Sequence, residues 1–190
     1  MSLKKALKMN KAIILDRDGT LVYDLGYVHK VEDFGLLPGV TEGLKRLSEE
    51  FVFIIITNQS GIGRGIHTEA EMHKFNKKLI SELRKKNIKI KKIYYCPHRP
   101  EEVCECRKPS TKHIKQAAED FNLNLKSSWV IGDHPHDVEM GAKAGCRAVY
   151  LLTGHGKKHF GDLKKNNIKP DFIAKDFLQA AGYIMDKLQR

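Results

Sequence analysis

The 190-residue sequence predicts an α/β protein with a doubly wound parallel sheet, Rossmann-like in plan. Three observations predict it. Short, almost unbroken apolar runs recur along the chain, as strands covered on both faces require. Apolar residues at helical spacing fill the intervals between those runs. Carboxylates or hydroxyls follow the ends of several runs, where an open parallel sheet places its ligand site.

In order, residues 11–16 (KAIILD) read as a buried strand that ends in a carboxylate and turns at Gly19. Residues 41–49 place Leu44 and Leu47 on one helical face. Residues 52–57 (VFIIIT) form a second strand, which runs into Asn58-Gln59-Ser60-Gly61. Thr68 opens a longer helix: Thr68 and Glu71 have capping-box spacing, and Met72, Phe75, Leu79, Ile80 and Leu83 follow at helical intervals. Residues 92–96, 128–132 and 148–152 read as further strands. Residues 110–120 form a helix whose apolar positions include Ile114, Ala117 and Ala118. Residues 138–144 form a short helix, and a last one begins near Asp176. No repeat or linker interrupts the pattern, so one domain over residues 1–190 is expected.

Composition narrows the class. With 41% hydrophobic and 30% charged residues, the chain is a globular protein and not a disordered tail. The longest apolar run, residues 52–56, is too short to cross a bilayer. Lys4, Lys5 and Lys8 precede no apolar signal core, so a cytoplasmic protein without a membrane partner is expected. The formal charge of +11 favours an anionic partner: a nucleic acid, a membrane surface or a phosphorylated small molecule. Three of the four cysteines fall within eleven residues, which argues for a metal and against a disulfide scaffold.

Asp16-Arg17-Asp18-Gly19-Thr20 closes the first strand. Two carboxylates at i and i+2 on extended backbone point the same way, repel each other and call for a cation. One can attack phosphorus while the other moves a proton. Alone, such a pair reads as an ordinary strand-end turn. Three further elements agree with the chemical reading. Thr57-Asn58 follows the second strand and offers a hydroxyl and backbone N–H groups to phosphate oxygens. Lys108 precedes Pro109 ahead of the third helix. Asp133, after the apolar residues 128–132, adds the carboxylate that a hard cation such as Mg²⁺ needs; Asp137 is a supporting partner of that site or a helix cap.

This order of motifs resembles the haloacid dehalogenase superfamily over residues 12–152. The resemblance implies that Asp16 is the nucleophile and forms an aspartyl-phosphate. It implies that Asp18 is the general acid/base, that Thr57 and Lys108 stabilise the phosphoryl group, and that Asp16, Asp18 and Asp133 hold Mg²⁺. An acid/base two residues after the nucleophile suits phosphate ester hydrolysis. The intervals 19–51 and 60–107 leave no room for a separate cap domain, so a capless, open site is expected.

Cys96-Pro97-His98 and Cys104-Glu105-Cys106 offer four soft ligands, the number a closed tetrahedral zinc site takes. Such a zinc is structural and staples the loop that delivers Lys108. Cys146 has no such spacing and reads as a small core residue. This cluster immediately before Arg107-Lys108-Pro109 resembles the zinc-containing branch that holds D-glycero-D-manno-heptose 1,7-bisphosphate 7-phosphatases and histidinol-phosphate phosphatases. That resemblance implies substrate contacts from Asp24, Leu25, Gly26 and Tyr27, from Thr57, Asn58, Gln59 and Ser60, and from Arg107 and Lys108, with Arg107 also in the catalytic set. It implies a phosphorylated sugar as substrate, removal of the C7 phosphate of the heptose bisphosphate, and a monomer. The five residues between His98 and Cys104 match the histidinol branch, which stands as the alternative.

A polynucleotide 3′-phosphatase suits the +11 charge but needs a basic groove leading to Asp16. A zinc-bearing nucleic-acid module with an inert site is the rival from another class. The presence of Asp16, Asp18, Lys108 and Asp133 together speaks against it. The basic run at residues 84–92 lacks interleaved aromatics and reads as a solvated helix end. His155, Lys157, Lys158 and His159 belong either to the site mouth or to an exposed loop.

Overall fold

The structure, a computed structural model, describes residues 9–189; Lys4, Lys5 and Lys8 lie outside them. Six strands form one sheet: β1 (Ala12–Leu15), β2 (Val52–Asn58), β3 (Ile90–Cys96), β4 (Trp129–Gly132), β5 (Arg147–Leu151) and β6 (Phe172–Ala174). Their order is β3-β2-β1-β4-β5-β6 and every pairing is parallel. The helices are α1 (Val40–Leu47), α2 (Ser60–Gly63), α3 (Glu69–Arg84), α4 (Lys112–Phe121), α5 (Pro135–Ala144), α6 (Gly156–Lys165) and α7 (Phe177–Leu188).

Alternation along the strands divides the core in two. Ile13, Leu15, Phe53, Ile55, Trp129 and Ile131 pack with α1, α3 and α7 residues such as Leu44, Phe75 and Phe177. Ile14, Ile54, Ile56, Val130 and Tyr150 pack with Ile114, Val138 and Leu163 from α4, α5 and α6. Burial on both faces is why the strands read as unbroken apolar runs rather than alternating ones. The capping box forms: Thr68 Oγ1 accepts from the Glu71 N–H at 3.2 Å, and Glu71 Oε2 accepts from the Thr68 N–H at 2.7 Å. At the α1–α7 contact a Cβ on Gly43 would stand 2.7 Å from Phe177 Cδ1, so the close approach needs glycine.

Three features differ from the sequence expectation. Helix α5 starts at Pro135 rather than 138, because Asp137 Oδ2 accepts from the His134 N–H at 3.2 Å and proline suits the first helical turn. Helix α6 takes the place of the undecided segment around His155 to His159. Strand β6 was not foreseen: it has only three residues. Cys146 is buried in the core, and burial pushes its thiol up to about 12. Among the described residues no helix is long and apolar enough to cross a membrane.

Between β1 and β2 the chain holds one 3-10 turn (Val31–Asp33) and α1; between β2 and β3 it holds α2 and α3. Neither interval carries a second sheet, so the carboxyl ends of the strands remain uncovered by a further layer.

Candidate active site

The strand order reverses direction between β1 and β4, and that switch point is where a doubly wound sheet opens its crevice. Asp16 leaves β1, Asp133 leaves β4, and Thr57 and Asn58 end β2. They meet in a cavity of about 470 Å³. Its walls hold Asp16, Asp18, Asp24, Gly26, Tyr27, Thr57, Asn58, Gln59, Ser60, Arg107, Lys108 and Asp133. Leu25 is not among the lining residues and is 67% exposed. Asp24 Oδ1 accepts from the Gly26 N–H at 2.8 Å, and both Gly26 and Tyr27 take positive φ, so the turn presents its neighbours and leaves Leu25 in solvent. His134, His136 and His155 also line the cavity. His136 has no spacing that marks it in the sequence.

Lys108 is the charge centre. Its buried ammonium bonds Asp16 Oδ1 at 2.8 Å, Asp137 Oδ1 at 2.6 Å and the Ile56 carbonyl at 3.0 Å, which uses all three of its protons. Burial opposes its charge, but Asp137 and Asp16 outweigh burial and push its pKa up. Asn58 clamps the backbone there, accepting from the Lys108 N–H through Oδ1 at 3.0 Å. Asn58 therefore places Lys108, besides lining the cavity.

Asp16, Asp133 and Asp137 each offer an oxygen within 4.8 Å of the others. Of the expected trio Asp16, Asp18 and Asp133, the carboxylates of Asp16 and Asp133 fall in this set and that of Asp18 does not. The backbone leaves β1 at Leu15, and the Asp18 carboxylate turns to Arg17 and Gln59 instead, at 2.8 to 2.9 Å. Burial pushes the Asp18 carboxyl above its usual range, against the lowering pull of Arg17. Burial, with Asp16 and Asp137 close by, pushes Asp133 up to about 8. Three carboxylates against one lysine leave a negative excess, so this donor set of hard oxygens fits a divalent cation such as Mg²⁺. Gly19, at φ 75°, lies against Asp133; a Cβ there would strike the Asp133 carboxylate. Thr57 is buried, and its Oγ1 accepts from Gln59 Nε2 at 2.9 Å, which frees its own proton to donate.

The soft donors gather as well. Cys96, His98, Cys104 and Cys106 place one ligand atom each within 4.8 Å of the others. A tetrahedral zinc with Zn–S near 2.3 Å and Zn–N near 2.0–2.1 Å sets S···S edges of about 3.8 Å and N···S edges of about 3.6 Å. Here Cys96 Sγ lies 3.7 Å from Cys104 Sγ and 3.6 Å from His98 Nδ1, and His98 Nδ1 lies 3.2 Å from Cys106 Sγ. The quartet thus has close to the spacing of a closed zinc site. It ties the end of edge strand β3 to the segment that enters Lys108. Arg107 Nη1 donates to the His98 carbonyl at 3.3 Å, which anchors that side chain to the same loop.

Fold and site together define a haloacid dehalogenase-like phosphatase. A family model described as HAD-hydrolase-like matches residues 105–180. The chain is 40% identical over 149 residues to the D-glycero-alpha-D-manno-heptose-1,7-bisphosphate 7-phosphatase of Campylobacter jejuni, covering 78% of this chain and 86% of that one. It is 36% identical over 172 residues to the D-glycero-beta-D-manno-heptose-1,7-bisphosphate 7-phosphatase of Haemophilus ducreyi, covering 83% and 94%. Its structure superposes on D,D-heptose 1,7-bisphosphate phosphatase from B. bronchiseptica, a complex with magnesium and phosphate, with a TM-score of 0.83, 28% identity and coverage of 93% and 99%. The chain belongs to the heptose-1,7-bisphosphate 7-phosphatase family, a group of phosphoric monoester hydrolases.

Proposed function

We propose that this chain removes the C7 phosphate of D-glycero-D-manno-heptose 1,7-bisphosphate through a phosphoaspartate on Asp16. The observation that carries the reading is the meeting of Asp16, Asp18, Lys108 and Asp133 in one cavity of a chain with heptose phosphatase relatives. The Arg17 N–H and Lys108 Nζ both bond Asp16 Oδ1, which leaves Oδ2 as the attacking oxygen. Oδ2 bonds to phosphorus as the bond from phosphorus to the C7 oxygen breaks, and Asp18 gives that oxygen its proton. Asp18 then takes a proton from the water that attacks the phosphoaspartate, and inorganic phosphate leaves. Thr57 donates its hydroxyl proton to a phosphoryl oxygen. Lys108, with its protons already shared, acts as a fixed positive charge beside the reacting group. Asp16 and Asp133 would hold Mg²⁺, with Asp137 beside them; the ion, when bound, neutralises phosphate charge and aligns the phosphoryl group.

Arg107 faces the cavity with donors to spare and takes the second phosphate of the bisphosphate. Arg107→Ala is expected to lower kcat/KM for the bisphosphate about tenfold more than for an aryl phosphate, the size of one hydrogen bond to a charged group. A panel containing the heptose bisphosphate, histidinol phosphate and an aryl phosphate tests the assignment. Equal or better kcat/KM on histidinol phosphate replaces it with the histidinol-phosphate reading.

We further infer that the Cys96, His98, Cys104 and Cys106 quartet holds one structural zinc. Elemental analysis should return about one zinc per chain. EDTA should stop turnover quickly, and Mg²⁺ should restore it. Zinc should leave more slowly and lower the melting temperature, because its binding energy is part of folding. A zinc-free chain with unchanged melting temperature contradicts this assignment.

A further inference from the structure

Arg17 sits between the two motif aspartates, fully buried, and is not among the residues lining the cavity. A buried guanidinium is costly unless its donors are met. Here they are. Nε donates to Asp18 Oδ1 and Nη2 to Asp18 Oδ2, both at 2.9 Å, a two-pronged grip on one carboxylate. Nη2 also reaches Gln59 Oε1 at 3.0 Å and the Val28 carbonyl at 2.8 Å. Nη1 donates to Asn76 Oδ1 at 2.9 Å, and the guanidinium carbon lies 4.8 Å from the Phe75 ring centre, both on α3. Gln59 closes the arrangement by donating Nε2 to Asp18 Oδ2 at 2.8 Å.

Lys108 has no proton left for Asp18, since Asp16, Asp137 and the Ile56 carbonyl take all three. The fork from Arg17, locked from behind by Asn76 and Phe75, meets both oxygens of Asp18 and fixes the orientation of that carboxylate. We propose that Arg17 is a positioning residue that fixes the direction of the Asp18 carboxylate at the cavity and so holds it for proton transfer to the leaving oxygen. The inference rests on the reading of Asp18 as the acid. When Asp18 gives its proton to the departing oxygen, the negative charge it gains faces the guanidinium, so Arg17 also stabilises the product of that transfer. Gln59, expected as a substrate contact, shares the task.

The test uses two aryl esters that differ in their need for an acid: phenyl phosphate, whose leaving group is poor, and 2,4-dinitrophenyl phosphate, whose leaving group departs unaided. The readout is kcat/KM, which covers the steps through phosphoenzyme formation and excludes its later hydrolysis. Arg17→Lys keeps the charge but loses the fork. It is expected to lower kcat/KM for phenyl phosphate by about 10²-fold and for the dinitrophenyl ester by less than about threefold, the signature of a mispositioned acid. Asn76→Leu, which touches neither Asp18 nor the cavity, should show the same split at smaller size, and it serves if Arg17→Lys does not fold. Asp18→Asn is the control. If it shows no split, the reading of Asp18 as the acid fails and the inference falls with it. If it shows the split while Arg17→Lys and Asn76→Leu weaken both esters alike, or neither, the acid stands and the role of Arg17 is overturned.

Discussion

Asp16→Asn is expected to cut turnover below about a hundredth of the wild-type rate while leaving the melting temperature unchanged or higher. The two halves of that result come from the two oxygens. Oδ1 accepts from the Arg17 N–H at 2.7 Å and from Lys108 at 2.8 Å, and an amide oxygen can accept both. The other oxygen becomes an NH₂ group, which neither attacks phosphorus nor holds a cation. One negative charge also leaves a cluster of three buried or half-buried carboxylates, which relieves repulsion. Turnover and a thermal melt on the same preparation check both halves. Activity above a hundredth assigns the nucleophile elsewhere, because loss of acid/base help alone is typically ~10²–10⁴-fold.

Lys108→Met should damage both activity and stability. The variant keeps the length of the side chain but leaves Asp16 and Asp137 without their cation, in a place where Asp137 is fully buried. Removing one partner of a buried pair costs about 3–5 kcal/mol. The lost electrostatic help to the phosphoryl group should take about 10²–10³ from kcat. Mg²⁺ should raise the melting temperature of the variant more than that of the wild type, since the ion then meets the larger negative excess. Urea denaturation with and without Mg²⁺, beside steady-state kinetics, measures all three effects. A variant that melts like the wild type and keeps a tenth of its turnover refutes the role given to Lys108.

Much of the centre was legible because it follows from strand ends. Asp16, Thr57 and Asp133 each stand where an apolar run stops, and a parallel sheet gathers such positions at one edge. The quartet of Cys96, His98, Cys104 and Cys106 was legible for another reason: its four members lie within eleven residues, so spacing alone nearly dictates their meeting. What stayed hidden depends on partners distant in sequence. Arg17 carries no signal of its own in the sequence: Gln59, just after β2, and Asn76, from α3, close over it only in the fold. Within that closure the Asp18 carboxylate bonds Arg17 and Gln59, while Asp137 shares Lys108 with Asp16. Periodicity failed at α6 because its ten residues include two glycines and four lysines, with little apolar face to count. It failed at β6 because three residues are too few for any period.

The seam between β1 and β4 also divides the site between two stretches of the chain. Asp16, Asp18 and Lys108 all lie before Trp129, whereas Asp133 and Asp137 come after it, on the far side of that seam. A chain ending at α4 would therefore carry Asp16, Asp18 and Lys108 without either of the two carboxylates that gather beside Asp16 from the other side of the seam.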